Sequence, residues 1–333
     1  MTNQYKATAS SHLFSNLKKI GLFISLSLFL AVNAYSVSCP AKPDWCTDEG
    51  KNPSKDNDDI CFYHSAAPTA NENTETFNGK INAGSTVYVS KNTKLVLDGN
   101  GDYTGEIVNC GEMVFRQNIS FGPGSQLINH GTIEDASDFD TKGKMIFINE
   151  SDASFNSLAG LIISLESTVI NYGDIVVNGE LTVDKDSVLR NSGSIKIEGG
   201  QNFITNGILI NSGTLLTGGF INFNSESKTV NNCTFIANGG FNSKGVSYTN
   251  NGNVFIGDND ASFAKELVTG PNSFIAGVKF RNEGNISGTG YFHFTGATTN
   301  TGDITSVNDG SANFVPMTFN KAIKTQDGTV TGV

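Results

Sequence analysis

Asp98, Asn100 and Asp102 have the spacing that most readily suggests chemistry, because three oxygen-bearing side chains alternate with glycine. Alternating carboxylate and amide oxygens open a calcium-binding loop. The sixth position of such a loop should be Gly and the twelfth Glu, whereas this chain has Tyr103 and Asn109. Asp and Gly together are also typical of ordinary turns. A calcium site and a plain turn are both open interpretations, and we expect no other cofactor.

Residues able to catalyse a reaction are few in this chain. Enzymes that cleave acidic polysaccharides group several carboxylates with a residue that stabilises developing charge. Asp174, Asp184 and Asp186 are instead predicted at scattered, outward turn positions. The histidines show no metal-site spacing: His12, His64, His130 and His293. We therefore expect no catalytic residues and no enzymatic activity, with a polysaccharide lyase or hydrolase as the alternative.

The composition favours an all-β protein and argues against a nucleic-acid binder. Charged residues make up 16% of the 333 residues, and Asn, Ser, Thr and Gly take the places that helix formers usually fill. Val, Ile, Leu and 23 Phe still supply a core. The net charge is −10, and no cluster of Lys and Arg occurs beyond the N-terminus, so we expect no nucleic-acid partner.

Residues 1–34 have the pattern of a secretory signal peptide. Two lysines precede an apolar run over residues 20–32, and Val32 and Ala34 stand at the −3 and −1 positions of a cleavage site. The run is short for a membrane span, and no later segment is apolar enough for one. We expect a secreted protein, extracellular or at the cell surface, with an uncleaved anchor as the alternative.

The strongest signal in the chain is a repeat of Asn followed two residues later by Gly. Most steps of this repeat are close to 20 residues, Asn149 fills a place where the Gly is missing, and Cys233 takes the Gly place after Asn231. One step, after Asn250, is 32 residues long. The repeat predicts one inward-facing ladder of asparagines: Asn109, Asn129, Asn149, Asn171, Asn191, Asn211, Asn231, Asn250, Asn282 and Asn300.

A period of about 20 residues with several short strands is typical of a parallel β-helix, or β-solenoid. We predict about 10–11 coils over residues 79–333. Because strand side chains alternate faces, the residue two before each Asn and the residue four after it should point inward with the Asn. Stacked Asn amides can hydrogen-bond along the stack. The Gly is expected to supply a φ that other residues resist.

Residues 35–78 lack the period and are predicted to form an N-terminal cap and linker. They hold three of the five cysteines, four of the seven prolines and the only Trp, Trp45. A cap is expected because an open solenoid end invites pairing with another chain. We place a flexible linker around residues 66–76 and the start of the first coil near Thr86.

The long step after Asn250 interrupts the repeat a second time. Within this gap, residues 257–267 are interpreted as a short helical insertion. Insertions in solenoids often carry binding residues, and an ordinary loop is the alternative. The role of residues 251–281 therefore stays open.

The repeat also sorts the five cysteines. Cys110 and Cys233 stand beside Asn109 and Asn231, about six coils and roughly 29 Å apart, which is beyond the reach of a disulfide. Four candidates for two bridges cluster at the N-terminal end, and their pairing stays open: Cys39, Cys46, Cys61 and Cys110. Cys233 is expected to be the free cysteine of this odd set.

The repeat units resemble those of secreted bacterial adhesin-type β-helix proteins. Residues 169–183, VINYGDIVVNGELTV, and residues 209–219, LINSGTLLTGG, are similar to units of haemagglutinin-like and autotransporter passenger domains. The similarity extends over residues 80–320 and, more distantly, to the β-solenoid heads of fungal cell-wall adhesins. The resemblance implies surface display, adhesion or the building of an extracellular matrix.

We therefore expect a structural or adhesive protein that binds a surface glycan, a protein receptor or its own copies. Residues 329–333 are strand-like and could pair with another chain, so a filament subunit is an option. The alternative is a carbohydrate-binding or polysaccharide-cleaving β-helix. A groove with stacked Asp and exposed aromatic residues would favour that alternative, whereas flat polar faces with exposed end strands would favour the first.

Overall fold

The chain folds as an all-β parallel β-solenoid of about 11 turns with about 20 residues per turn, which confirms the predicted fold class. The computed structural model describes residues 38–53, 59–66, 73–98, 102–117, 119–257, 259–307, 316–320, 323–325 and 329–331. The predicted signal peptide, residues 1–34, lies outside this range. Within it, no helix is long and apolar enough to cross a membrane.

The first face is a 15-stranded sheet. Its strands are Gly50–Pro53, Ile60–Tyr63, Thr86–Val89, Glu106–Asn109, Gln126–Asn129, Ile146–Asn149, Thr168–Asn171, Val188–Asn191, Ile208–Asn211, Lys228–Asn231, Ser247–Asn250, Glu266–Thr269, Asn285–Gly288, Asp303–Ser306 and Val330–Thr331. The first two of these strands pair antiparallel, and every later neighbour is parallel. Many of the central strands end at an Asn of the repeat, so the chain passes from the first face to the second at the same corner in each of these turns.

The second face has 13 strands and follows the first in every turn. They are Thr74–Phe77, Lys94–Leu97, Glu112–Phe115, Thr132–Asp135, Ser154–Ser157, Asp174–Val177, Ser194–Ile197, Thr214–Thr217, Thr234–Ala237, Asn253–Ile256, Phe274–Gly277, Tyr291–Phe294 and Thr318–Phe319.

The third face has 10 strands and closes each turn from residue 139 onward. They are Phe139–Thr141, Leu161–Ile163, Leu181–Val183, Phe203–Thr205, Phe220–Phe223, Gly240–Ser243, Asp260–Phe263, Lys279–Asn282, Thr298–Asn300 and Lys324–Thr325. A separate two-stranded sheet pairs Asp102–Tyr103 with Ser120–Phe121.

The core is built from side chains that stack on like positions of the next turn. On the first face, the residue two before each Asn forms one fully buried column: Leu127, Phe147, Val169, Leu189 and Leu209. On the second face, the residue four after each Asn forms another: Met113, Ile133, Ile175, Ile195 and Leu215. Burying one such side chain stabilises the fold by about 2 kcal/mol. Every turn therefore adds a favourable increment of the same kind.

The described residues of the long step between Asn250 and Asn282 form no helical insertion. Asp260–Phe263 continues the third face and Glu266–Thr269 continues the first, both paired in parallel with their neighbours. The predicted insertion is therefore wrong, because the chain keeps its strand periodicity and only the Asn changes position.

The solenoid begins one turn earlier than Thr86. Ile60–Tyr63 pairs in parallel with Thr86–Val89, and Thr74–Phe77 with Lys94–Leu97. The predicted linker segment thus contains a strand of the second face. Gly50–Pro53 runs antiparallel along Ile60–Tyr63 and so covers the edge of the first face at this end.

Two disulfides fasten the N-terminal segment, and both use the predicted candidates. Cys39 bonds to Cys110 with their Cα atoms 5.7 Å apart, and Cys46 bonds to Cys61 with theirs 5.9 Å apart. Cys233 is free and partly exposed, as predicted. The first bridge joins the chain ahead of the first strand to the corner after Asn109.

We expect the disulfide that closes the longer loop to stabilise the fold more than the disulfide that closes the shorter loop. The Cys39–Cys110 bridge spans 71 residues and the Cys46–Cys61 bridge 15. Loop closure predicts that a C39S/C110S variant loses about 4 kcal/mol of unfolding free energy and a C46S/C61S variant about 3 kcal/mol. Guanidinium unfolding followed by circular dichroism measures both losses. A larger loss from the shorter bridge contradicts this account.

Candidate functional site

Eight asparagines form a continuous ladder inside the first face. The Nδ2 of each of the first seven donates to the Oδ1 of the Asn one turn further along, at 2.8 Å in every step. Its members are Asn109, Asn129, Asn149, Asn171, Asn191, Asn211, Asn231 and Asn250, all almost fully buried. The same amides also bond to the backbone, as Asn191 does to the carbonyl of Thr214 at 3.0 Å. The ladder therefore ties each turn to the next at one corner.

Asn282 and Asn300 do not continue this ladder. They end third-face strands, where Asn282 Nδ2 donates to Asn300 Oδ1 at 2.7 Å. On the first face, Thr269 takes the place opposite Asn250. The prediction of one ladder through all ten residues is wrong for these two, because Asn-x-Gly suits more than one corner of the turn. Asn282 Oδ1 accepts from the Gly284 N–H at 3.2 Å, as Asn109 Oδ1 does from that of Gly111.

The Gly of the repeat is needed because neighbouring turns touch at the corner. Gly193 and Gly213 have no positive φ, so the expected conformational reason is wrong. A Cβ on Gly193 would lie 2.1 Å from the carbonyl oxygen of Gly173, and one on Gly213 would lie 2.0 Å from that of Gly193. The corner is thus a contact of backbone with backbone, which leaves no room for a side chain between the turns.

The candidate calcium ligands are only partly within the described residues. The Asp98 carboxylate lies 3.6 Å from an Arg116 Nη and accepts from Gln117 Nε2 at 3.3 Å. Asp102 begins a short strand, and Asn100 lies outside the described residues. Across the part of the chain that the structure describes, no three His, Cys, Asp or Glu side chains converge to hold a metal ion. Calcium binding stays a prediction.

Asp184 and Asp186 lie together in a shallow groove of about 430 Å³ at the corner between the third and first faces. The groove is lined by Leu165, Glu166, Asp184, Lys185, Asp186, Asn206 and Glu226. Lys185 pairs with Glu226 at 3.2 Å, and Lys144 pairs with Glu166 at the same distance. Asp174 lies elsewhere, exposed on the second face. The groove gathers carboxylates, but half of them are neutralised by lysines and no aromatic ring lines it.

Asp135 is a buried carboxyl group inside the second face. It is 2% exposed, one oxygen accepts weakly from the Ser137 hydroxyl at 3.4 Å, and the other has no partner among the described residues. Burial raises the pKa of Asp135 to about 7, and the neighbouring Asp138 carboxylate adds to the rise. Its surroundings favour the protonated form, so Asp135 affects stability and is a poor candidate for contact with a ligand.

Aromatic rings crowd the outer side of the second face near its C-terminal end. Because Val254, Ile275 and Phe292 are buried in three successive strands, the residues on either side of them point outward. We call the outward set Phe255, Phe274, Ala276, Tyr291 and His293 the aromatic patch. Phe255 is 42% exposed and Tyr291 is 38% exposed.

The rings of the aromatic patch touch one another and leave a recess. The Phe255 and Phe274 ring centres are 5.8 Å apart, those of Phe274 and Tyr291 5.6 Å, and those of Tyr291 and His293 6.3 Å. Ala276 pairs with Phe255 on one side and with His293 on the other. Since an alanine side chain is much shorter than a ring, the outer surface is recessed at Ala276 between two rings.

The side chains of the aromatic patch have the chemistry that suits a neutral ligand with both an apolar face and hydroxyl groups. None of the outward residues of its three strands is Asp, Glu, Lys or Arg. Aromatic faces take apolar surface, while the Tyr291 hydroxyl, the His293 imidazole and the Asn253 amide offer hydrogen bonds. The corresponding signal in the sequence is at least one ring next to the buried residue of each strand, within and just after residues 251–281.

The chain matches no protein-family model, no curated protein and no solved structure.

Asn191→Asp should break the ladder at its centre. A carboxylate can still accept from Asn171, but it cannot donate to Asn211 Oδ1 or to the Thr214 carbonyl. We expect a loss of about 3 kcal/mol of unfolding free energy at pH 7, partly recovered below pH 4 on protonation. Asn242→Asp is the matched control, because Asn242 donates to Asn222 at 2.9 Å on the outer surface. Equal losses in the two variants contradict the ladder's role.

Asp135→Asn should stabilise the protein at high pH only. A pKa raised in the folded state means that the stability associated with Asp135 is complete below about pH 4 and is lost as the pH rises through about 7. We expect the variant to gain about 4 kcal/mol at pH 8 and nothing at pH 4. Chemical unfolding at both pH values measures the difference. A gain that is independent of pH contradicts the assignment.

Proposed function

We propose that the chain is a secreted adhesive β-solenoid that attaches to a surface bearing neutral glycans, through the aromatic patch. The observation that carries the proposal is the set of outward rings on three successive turns, at Phe255, Phe274 and Tyr291. Exposed rings cost solvation free energy unless a ligand covers them. A rigid solenoid holds them at a constant spacing, as a repeating ligand requires.

The chemistry of the aromatic patch favours a sugar over a charged ligand. A pyranose presents C–H groups on its ring faces and hydroxyls at its edges, which suits aromatic rings beside amide, imidazole and phenol groups. An acidic glycan would call for Lys or Arg among the outward residues, and these three strands offer neither. A neutral glycan is therefore the ligand class that fits.

These features support attachment to a glycan better than they support cleavage of a glycan. A glycan-cleaving site needs carboxylates beside the sugar-binding rings. Here the carboxylates line the groove at Asp184 and Asp186, whereas the rings lie on another face and on later turns. A polysaccharide-cleaving enzyme remains the second candidate because that groove exists.

Secretion and surface exposure complete the proposal. The signal-peptide pattern of residues 1–34 supports export, and the two disulfides suit an oxidising compartment. The resemblance of the repeat units to adhesin-type β-helix proteins supports adhesion over a purely structural role.

A glycan array followed by calorimetry tests the proposal. We expect the full chain to bind neutral polysaccharides, and a Phe255→Ala and Tyr291→Ala double variant to bind at least about tenfold more weakly, because two exposed contacts are removed. Phe220→Ala is the matched control, since Phe220 is a partly exposed ring of the third face.

Equal binding by the double variant and the Phe220 control contradicts the aromatic patch as the site. Preference for acidic glycans contradicts the ligand class. Release of new reducing ends from a bound polysaccharide would show that the protein cleaves glycans. A Glu166→Gln variant that stops this release would assign the cleavage to the groove.

A further inference from the structure

The outer side of the first face carries an unusual run of aliphatic residues. Over six adjacent strands, from Gln126–Asn129 to Lys228–Asn231, the inward residues are the Asn ladder and the core column. We call the outward set the aliphatic strip: Ile128, Ile146, Ile148, Ile170, Val188, Ile208, Ile210 and Val230. Ile146 is 42% exposed and the others are partly exposed. A sheet face in water normally alternates buried apolar with outward polar residues, so this face departs from the rule.

The size of the aliphatic strip is that of a functional patch. Six strands at about 4.8 Å spacing and four residues at about 3.3 Å each cover on the order of 370 Å². Apolar patches of this size on a soluble protein often mark an interaction site.

The aliphatic strip continues a surface that the protein already uses for packing. Val108 and Tyr88 stand in the same outward column, one and two turns before Ile128 respectively, and each is only 7% exposed. The N-terminal segment covers them, with the Tyr88 hydroxyl donating to the Pro40 carbonyl at 3.1 Å and Cys39 bonded to Cys110. The N-terminal segment therefore packs on this column at Tyr88 and Val108. From Ile148 onward, nothing in the part of the chain that the structure describes covers the column.

The charge on this face favours contact between copies of the same chain. None of the outward residues of the six strands is Asp or Glu, and Arg190 and Lys228 are the charged ones. Arg190 is exposed at the middle and has no ion-pair partner among the described residues. Because the chain carries a net charge of −10, two copies repel each other over most of their surface. The aliphatic strip is a surface at which two copies can approach without bringing carboxylates together.

We propose that two copies of this chain associate by packing their aliphatic strips face to face, as two sheets do in a sandwich. The contact would bury roughly 750 Å² in total, well below the area of a standard stable interface. The association is therefore weak and reversible, and it becomes important where many copies are concentrated on one surface. It does not depend on glycan binding.

Sedimentation velocity of the purified full chain over the micromolar to millimolar range tests the proposal. We expect the weight-average sedimentation coefficient to rise with concentration. An Ile148→Asp and Ile210→Asp double variant should weaken association at least about tenfold, because it places carboxylates opposite each other within an apolar contact. The matched control is Ile162→Asp with Ile204→Asp, since both residues are partly exposed isoleucines of the third face.

Arg190→Ile supplies a test that misfolding cannot imitate. Removing the central cation from the aliphatic strip should tighten association several-fold, whereas a damaged fold would not. Circular dichroism checks that every variant keeps its strands.

A wild-type chain that stays monomeric at all concentrations overturns the proposal. So does association that the third-face pair weakens as much as the first-face pair. Carbene footprinting of a monomer in which the aliphatic strip is protected would assign the covering to a segment of the chain itself and would also overturn pairing between copies.

Discussion

In-register pairing between successive turns is the constraint on which the rest of the structure depends. Each residue of a strand lies directly beside the equivalent residue of the turns before and after it, about 4.8 Å away. A polar side chain buried in such a stack finds its hydrogen-bond partners in the equivalent side chains of the neighbouring turns or in the backbone. An Asn side chain has both a donor and an acceptor, so eight of them satisfy one another in a row. The same constraint packs backbone on backbone at the Gly corner.

Much of the fold could be predicted from the spacing of Asn alone, because the spacing reports the length of a turn. The buried columns beside it, such as Leu189 and Ile195, follow from strand alternation once the Asn is known to point inward. The set of bridged cysteines followed as well, since distance along the stack separated Cys233 from the others.

Four features could not be predicted in the same way. The shift of Asn282 to another corner leaves the same motif in the sequence, so a step of 32 residues looked like an insertion. The role of the Gly as a close contact depends on the neighbouring turn, which no local pattern describes. The aliphatic strip could not be recognised in the sequence because outward isoleucines such as Ile148 follow residues that are buried and also apolar. The sequence therefore shows no alternation of apolar and polar residues there. The aromatic patch needed the register, which brings Phe255, Phe274 and Tyr291 onto one surface.

The Cys39–Cys110 bridge gives the N-terminal end of the rod a distinct response to mechanical load. A pull on the chain ahead of Cys39 passes through the sulfur atoms directly to the corner after Asn109 and bypasses the covalent loop between them. The turns inside that loop therefore bear no tension along the backbone. Force therefore enters the stack at the corner where the Asn ladder begins, between two hydrogen-bonded turns.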